Sequence, residues 1–190
     1  MNNLREKLWE YATQSAHSRK IKLTNDLLWV SIPEQTLEHW RNGQHLRTYD
    51  ISTSERPPSV LQDSLGTPTG WLRITEKIGD GQPTGMVFKG RVPRGYSWPD
   101  APPADQEKAL ITSRILRLTG CETGWNAGPG RDTWERYIYL HGTNRHHRIG
   151  EPQSAGCVLL RDEEMIALFD EVPEGTLVWI LDKPTIEQPS

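Results

Sequence analysis

From residue 27 onward the chain consists of short runs rich in strand-forming residues, separated by turns that contain glycine, proline or asparagine. The pair Asn42-Gly43 lies between two such runs, 36–40 and 45–51, and Asn-Gly is typical of a two-residue β-hairpin turn. Further runs occupy 27–32, 71–75, 86–89, 136–140 and 177–181. The pattern predicts a mainly β fold, either a β-sandwich or a partly open barrel.

Two segments have helical periodicity instead. At the N-terminus one helical face collects Leu4, Leu8, Tyr11 and Ala12, which predicts a short amphipathic helix docked on the body. Near the C-terminus Asp162 is expected to cap a helix. The residues of that helix expected to face the core are Met165, Ile166, Leu168 and Phe169.

Three further segments are harder to interpret. Residues 111–118 fit either a helix or a strand, and their context favours a strand. Four prolines in 93–105 predict an irregular surface loop, and four glycines in 120–132 predict a long mobile loop. Trp125 in the second loop is either a lid or an ordinary packed tryptophan.

Composition limits the class of protein. A chain of 190 residues favours one domain, here 25–183, with a helical extension, 1–24, and a polar tail, 184–190. The longest apolar stretches, such as 177–181, are far shorter than the roughly 20 residues of a membrane-spanning helix. A net charge of -3 argues against nucleic acid or another bulk polyanion as a partner.

Two cysteines, Cys121 and Cys157, cannot form a disulfide framework, although a single bridge between them stays open.

The first ten residues carry charges where a secretion signal needs an apolar stretch. The chain is therefore expected to be either cytoplasmic or already trimmed of its signal.

The chemistry is concentrated between residues 137 and 161. His141 ends a predicted strand, and Cys157 follows sixteen residues later, after Ser154-Ala-Gly. A free thiol is mostly protonated at neutral pH, and a neighbouring imidazole can accept its proton and hold the thiolate in an ion pair. Amide groups around Gly156 and Cys157 would then bind an oxyanion. From the residues alone, Cys157 is as readily explained as a buried thiol of the core as it is as a nucleophile.

The residues around this pair have alternative interpretations. His141, His146, His147 and Cys157 can be written as a zinc set. Adjacent histidines on a strand would point in opposite directions, and the flanking arginines oppose a cation, so no metal is expected. Arg136 and Tyr137 either line the site or are simply strand residues. Cys121, beside Glu122, has no activating partner in the sequence and is expected to be structural.

A family resemblance sharpens this interpretation. The segments 136–144, 149–158 and 168–178, with 51–53 and 66–70 upstream, resemble the catalytic half of the L,D-transpeptidases, the YkuD-domain family. The resemblance spans roughly residues 27 to 181. It implies a catalytic domain of that β-sandwich type, with one helix after the nucleophile, acting on peptidoglycan stem peptides.

The resemblance also implies roles for particular residues. Cys157 matches the nucleophile, His141 the general base, and Gly142 the position whose carbonyl orients the imidazole. The residues expected to line the substrate site are Gly156, Ser154, Tyr137, Arg136 and Arg161. The thiolate would attack the carbonyl between meso-diaminopimelate and D-alanine, and pass the acyl group to an amine or to water. Water as the acceptor would make the protein an L,D-carboxypeptidase.

Such enzymes need no organic cofactor and are acylated by carbapenems, so both properties are expected here. They act in the periplasm or cell envelope, which conflicts with the absence of an export signal at the start of this chain. The cytoplasm therefore stays open as the compartment.

The chain departs from the family pattern at two positions. Ala155 stands where the family usually has histidine, and Leu159 where it usually has arginine. The second change removes a cation expected near the substrate carboxylate, a contact often worth about 1.5–3 kcal/mol. Arg161 is a candidate replacement if it reaches back. A slow enzyme, altered donor specificity and a catalytically silent wall-binding relative all remain open.

Overall fold

The computed structural model describes residues 2–183; the predicted polar tail, 184–190, lies outside the described residues. Within residues 2–183, ten strands, three α-helices and two short 3-10 helices follow one another. The helices are α1 (Asn2–Ser18), α2 (Pro103–Gln106) and α3 (Asp162–Glu171), with 3-10 turns at Trp98–Asp100 and His146–Arg148. The strands are β1 (Asp26–Ser31), β2 (Thr36–Arg41), β3 (Gln44–Asp50), β4 (Gly70–Ile78), β5 (Met86–Lys89), β6 (Val92–Ser97), β7 (Ile111–Gly120), β8 (Tyr139–Thr143), β9 (Val158–Leu160) and β10 (Leu177–Leu181).

All ten strands belong to one mixed sheet. Its main path runs β3-β2-β1-β10-β4-β7-β5-β6, and β8 branches from β7 and pairs with β9. Most pairs are antiparallel, but β1 with β10 and β8 with β9 are parallel. The predicted mainly β fold is confirmed.

The sheet buries both faces of its central strands because apolar residues occupy successive positions there. Alternate residues point to opposite faces. One set packs with α3 in the main core; the other forms a second core under α1. Trp29, Trp179 and Trp71 lie in register across β1, β10 and β4 on the α1 side. The rings of Trp71 and Trp179 stack with centroids 4.6 Å apart.

Helix α1 covers this tryptophan layer. Ala12 and Ala16 are fully buried against it, and the Tyr11 ring lies 5.2 Å from that of Trp179. The docking predicted for the N-terminal helix is therefore present; the side chain of Leu4 lies outside the described part of the chain. No helix within residues 2–183 is both long and apolar enough to cross a membrane.

Several local predictions meet different outcomes. Residues 111–118 form β7, as their context favoured. The predicted surface loop 93–105 contains most of β6 and the helix α2, so a purely irregular loop is wrong. The predicted strand 136–140 begins only at Tyr139, because Arg136 and Tyr137 lie in a turn. Asp162 is the first residue of α3 and makes no side-chain cap, so the predicted capping role is also wrong.

Candidate active site

The turn before β9 presents Cys157. Gly156 has a φ of +125°, which L side chains rarely adopt, and an added β-carbon would lie 3.0 Å from Ile138. The Ser154 hydroxyl accepts the Gly156 amide N–H at 3.2 Å and donates to the Cys157 carbonyl at 2.6 Å. A glycine at 156 and a short polar side chain at 154 thus set the position of the cysteine.

The Cys157 thiol lies between an apolar cluster and the surface. Its Sγ–H donates to the Tyr137 carbonyl at 3.5 Å, and the residue packs against a cluster of Met86, Phe88, Ile115 and Tyr139. Cys157 is free and partly exposed. Loss of hydration raises the pKa of the thiol to about 11, although a backbone hydrogen bond from Tyr139 and the charge of Arg136 oppose the rise.

The structure fixes the tautomer of His141, a buried residue of β8. Its Nδ1 lies 2.7 Å from the Gly142 carbonyl oxygen, and since a carbonyl only accepts, Nδ1 carries the hydrogen. Burial lowers the pKa of the imidazole to about 4, with Asp162 opposing. At neutral pH His141 is therefore uncharged, with Nε2 available as a proton acceptor.

The β8–β9 pairing brings the cysteine and histidine segments together. Leu140 pairs with Val158 in parallel register, so His141 follows that pair and Cys157 precedes it. Tyr139 lies beside both: it shares the apolar cluster with Cys157, and its ring is 6.5 Å from the imidazole ring. Among the described hydrogen bonds, none joins His141 to Cys157. Burial favours the neutral form of both groups, which opposes the expected resting ion pair; that pair stays a prediction.

Asp162 is a site residue whose role the sequence did not indicate. Its buried carboxylate accepts hydrogen bonds from four side chains on three other segments. The donors are Thr112 Oγ1 (2.5 Å), Ser113 Oγ (2.6 Å), Trp98 Nε1 (2.9 Å) and His146 Nε2 (3.1 Å). A β-carbon on Gly142 would come within 2.5 Å of this carboxylate, so only glycine allows β8 to lie so close. An acidic residue opening a helix was the only available signal.

Arg136 lies near the thiol but is already bound to protein. Its guanidinium donates to the backbone oxygens of Ser59 and Gly66 at 3.1 and 2.8 Å. The Gly66 carbonyl oxygen lies 3.5 Å from the position that a β-carbon on Gly156 would occupy, so the two backbones are close. By binding this oxygen, Arg136 holds the loop that contains Gly66 against the turn that carries Cys157. Tyr137 is 57% exposed and has a left-handed backbone, with φ +57°.

The structure does not place a cation at the two divergent positions. Leu159 is 5% exposed, so an apolar side chain fills the position where arginine was expected, while Ala155 is exposed. The Arg161 guanidinium lies 3.6 Å from Asp50 and 3.4 Å from Glu164. Its charge is therefore directed toward two carboxylates.

The four residues that could be written as a zinc set do not come together in the described part of the chain. His146 faces Asp162 from a 3-10 turn, and His147 is exposed. Within residues 2–183 no group of three His, Cys, Asp or Glu side chains is arranged to hold a metal ion.

Residues 25–180 match the YkuD family, described as the L,D-transpeptidase catalytic domain. This chain belongs to that family. A probable L,D-transpeptidase YbiS of Escherichia coli is 47% identical over 153 residues, which are 75% of this chain and 44% of the relative. The probable L,D-transpeptidase ErfK/SrfK of Salmonella typhimurium is 29% identical over 153 residues, 75% and 43% of the two chains. This L,D-transpeptidase-family chain thus spans less than half the length of these relatives.

Solved structures of the family share the fold. L,D-transpeptidase 3 from Mycobacterium tuberculosis, described in complex with a faropenem-derived adduct, has a TM-score of 0.51 and 15% identity, covering 82% of this chain and 60% of that one. The LdtMt1 complex with imipenem has a TM-score of 0.50 and 20% identity, covering 83% and 59%. The L,D-transpeptidase catalytic-domain fold is therefore established for this chain.

Proposed function

We propose that the protein is a cysteine-dependent L,D-transpeptidase that acts on peptidoglycan stem peptides through a thioester. The observation that carries the proposal is the fixed tautomer of His141. Its Nδ1–H is held by the Gly142 carbonyl, which leaves Nε2 as a base on the strand paired with the segment of Cys157. That arrangement supplies a nucleophile, a base and an orienting group.

The neutral resting state determines how the first step proceeds. The thiol attacks the carbonyl carbon of the bond between meso-diaminopimelate and D-alanine while His141 Nε2 takes the proton from sulfur. The carbon–nitrogen bond then breaks, and the imidazolium returns that proton to the departing D-alanine amine. The product is a thioester between Cys157 and the shortened stem peptide.

The second half of the reaction releases the enzyme. An acceptor amine attacks the thioester, His141 again removes a proton, and the Cys157 thiolate leaves and is reprotonated. If water is the acceptor, the same site acts as an L,D-carboxypeptidase. The imidazole must be unprotonated in both steps, and its low pKa keeps it so at every pH well above about 4.

Other properties follow from this proposal. Relatives of this fold are described with imipenem and with a faropenem-derived adduct. We expect a carbapenem to acylate Cys157 in the same way. The substrate class places the action of the protein in the cell envelope, and no cofactor is required for acyl transfer through a thioester.

The alternative is a catalytically silent relative that binds the wall. Burial of the thiol and the apolar Leu159 favour that alternative, since both weaken a thiolate site for an anionic substrate. A folded protein that forms no thioester would support it.

A synthetic stem tetrapeptide ending in D-alanine separates these functions. With the tetrapeptide and an acceptor amine, mass spectrometry should detect free D-alanine and a cross-linked product; tripeptide alone would identify a carboxypeptidase. The His141→Ala variant should release D-alanine roughly 10²–10⁴ times more slowly, the usual contribution of a general base. Absence of D-alanine release and of any Cys157 thioester from folded wild-type protein would refute the proposal.

A further inference from the structure

The hairpin formed by β5 and β6 carries an arginine into the catalytic region. Lys89 pairs with Val92, so the turn consists of Gly90 and Arg91, with φ values of +58° and +68°. Two positive φ values are characteristic of the tight hairpin turns that follow the twist of the strands. The left-handed backbone is unusual for arginine, and it fixes the direction from which the side chain leaves the turn.

The Arg91 side chain ends at the two tyrosines that flank the cysteine segment. Its Nη1 donates to the Tyr139 hydroxyl at 3.1 Å, and its guanidinium carbon lies 5.4 Å from the centre of the Tyr137 ring. Tyr139 packs in the cluster that holds Cys157, and the Tyr137 carbonyl accepts the thiol hydrogen. Arg91 is thus one aromatic side chain away from the nucleophile.

Arg91 keeps donors that the protein does not use. Within residues 2–183, no recorded hydrogen bond uses its Nε or Nη2, and no carboxylate forms an ion pair with it. Because Tyr139 accepts from Arg91, the hydrogen of its hydroxyl is also directed elsewhere. A carboxylate beside the Tyr139 hydroxyl could accept hydrogen bonds from that hydroxyl and from the unused Arg91 donors.

The neighbouring Arg117 has a different position. Its Nη2 donates to the Trp134 carbonyl at 3.0 Å, its Nη1 lies 3.4 Å from Glu76, and its guanidinium stacks over the Trp134 ring. Arg117 therefore supports the Trp134 ring, and its Nε, the one donor atom without a partner among the described residues, is buried. Arg91 is only partly buried, so its unused donors are the ones that a ligand could reach.

We propose that Arg91, together with the Tyr139 hydroxyl, binds the terminal carboxylate of the D-alanine that leaves the donor peptide. This inference rests on the proposed function for the identity of the substrate. The carboxylate is only a few bonds from the carbonyl attacked by Cys157, which matches the separation of Arg91 from the thiol by one tyrosine side chain. The hairpin would then supply the cation that Leu159 does not.

Binding can be measured without catalysis in a Cys157→Ala background. Calorimetry would compare a stem tetrapeptide with a free terminal carboxylate and the same peptide with a terminal amide. The free acid should bind roughly tenfold more tightly, the usual size of one charge-assisted contact. Adding Arg91→Gln should remove this difference, and Arg91→Lys should restore part of it.

Arg94 provides the matched control because it is exposed on the same hairpin. In the Cys157→Ala background, Arg94→Gln should retain the preference for the acid. Equal binding of acid and amide, absence of binding, or an equal loss in the Arg94→Gln protein would overturn the inference, provided that thermal unfolding shows each variant folded.

The two proposals can fail separately. If wild-type protein forms no thioester but the acid preference depends on Arg91, the carboxylate subsite stands and the catalytic proposal fails. If D-alanine is released but Arg91→Gln leaves the acid preference unchanged, the catalytic proposal stands and the subsite is wrong.

Discussion

The molecule contains two free cysteines in contrasting surroundings. Both are partly exposed, and burial raises the pKa of each thiol. Cys121 follows β7, packs at the edge of the tryptophan layer and donates its amide to the Trp71 carbonyl. Cys157 follows a glycine with positive φ and lies on the segment paired with the strand of His141.

The comparison teaches that neither exposure nor the direction of the thiol pKa separates Cys157, the proposed nucleophile, from Cys121. The difference lies in what surrounds each thiol. A base with a fixed tautomer and a turn held by Ser154 are found near Cys157, whereas the described neighbours of Cys121 include Arg73 and Glu122 but no histidine.

The largest effect should come from replacing each cysteine in turn by alanine. Incubation with a carbapenem should give one covalent adduct on wild-type protein by intact-mass spectrometry. We expect Cys157→Ala to abolish the adduct, because the proposed nucleophile is removed, and Cys121→Ala to retain it in full. An adduct that survives in Cys157→Ala, or is lost in Cys121→Ala, would reverse the assignment.

The second prediction concerns the pH dependence of thiol alkylation, which should be similar for Cys157 and Cys121. Alkylation needs thiolate, so a thiol with a pKa of about 11 reacts slowly at neutral pH and faster as the pH rises toward 10. Iodoacetamide labelling of Cys157 in Cys121→Ala protein should show no plateau near neutrality. The Cys121 thiol, measured in Cys157→Ala protein, should also need alkaline pH.

His141→Ala is the control for that titration. Since the imidazole is neutral at any pH well above about 4 and no described hydrogen bond joins it to the thiol, its removal should leave the alkylation profile nearly unchanged. A plateau near neutral pH that disappears in His141→Ala would instead establish a resting thiolate–imidazolium pair.

The smallest effect should come from the side chains that hold the two cysteine turns. Ser154→Ala removes a hydroxyl bonded to two backbone groups of the Cys157 turn; we expect acylation to slow several-fold and the free energy of unfolding to fall by about 1 kcal/mol. Asn126 is fully buried; it accepts from the Glu122 amide, next to Cys121, and donates to the Trp71 carbonyl. Asn126→Ala should therefore lower the free energy of unfolding by about 3 kcal/mol without slowing acylation.

Urea unfolding and the rate of adduct formation measure both quantities. Asn126→Ala should acylate at the wild-type rate while folded, since its contacts lie away from Cys157. Equal acylation rates in Ser154→Ala and wild-type protein would show that the Ser154 hydroxyl does not position the nucleophile.

Much of the sheet could be predicted because strand propensity and turn residues are visible in short stretches of the sequence. Runs such as Leu177–Leu181 have strong strand propensity, and Asn42-Gly43 marks the hairpin between β2 and β3. The segment of β7 was ambiguous from periodicity alone, since both faces of that strand are buried and its apolar residues do not alternate cleanly.

The errors arise where distant contacts override local preference. Tyr137 belongs to a strand by propensity, but Arg136 binds backbone oxygens about seventy residues away and the chain turns there. Asp162 resembles a cap in the sequence, yet its carboxylate binds donors from three other segments.

The candidate site divides in the same way. The positions of His141, Gly142 and Cys157 follow from motifs that can be recognised in the sequence. Their protonation does not, because it depends on burial created by the whole fold. Arg91 could not be singled out either, since only the folded β5–β6 hairpin brings its guanidinium to the Tyr139 hydroxyl, 48 residues away in the sequence.

Helix α1 has a practical consequence for work with this protein. The family match begins at residue 25, yet Ala12 and Ala16 complete the packing of the tryptophan layer on β1, β4 and β10. Trimming to the family boundary would leave a broad indole wall in contact with water, and such walls promote self-association. A fragment designed to avoid self-association therefore has to retain α1, although this helix lies outside the matched family boundary.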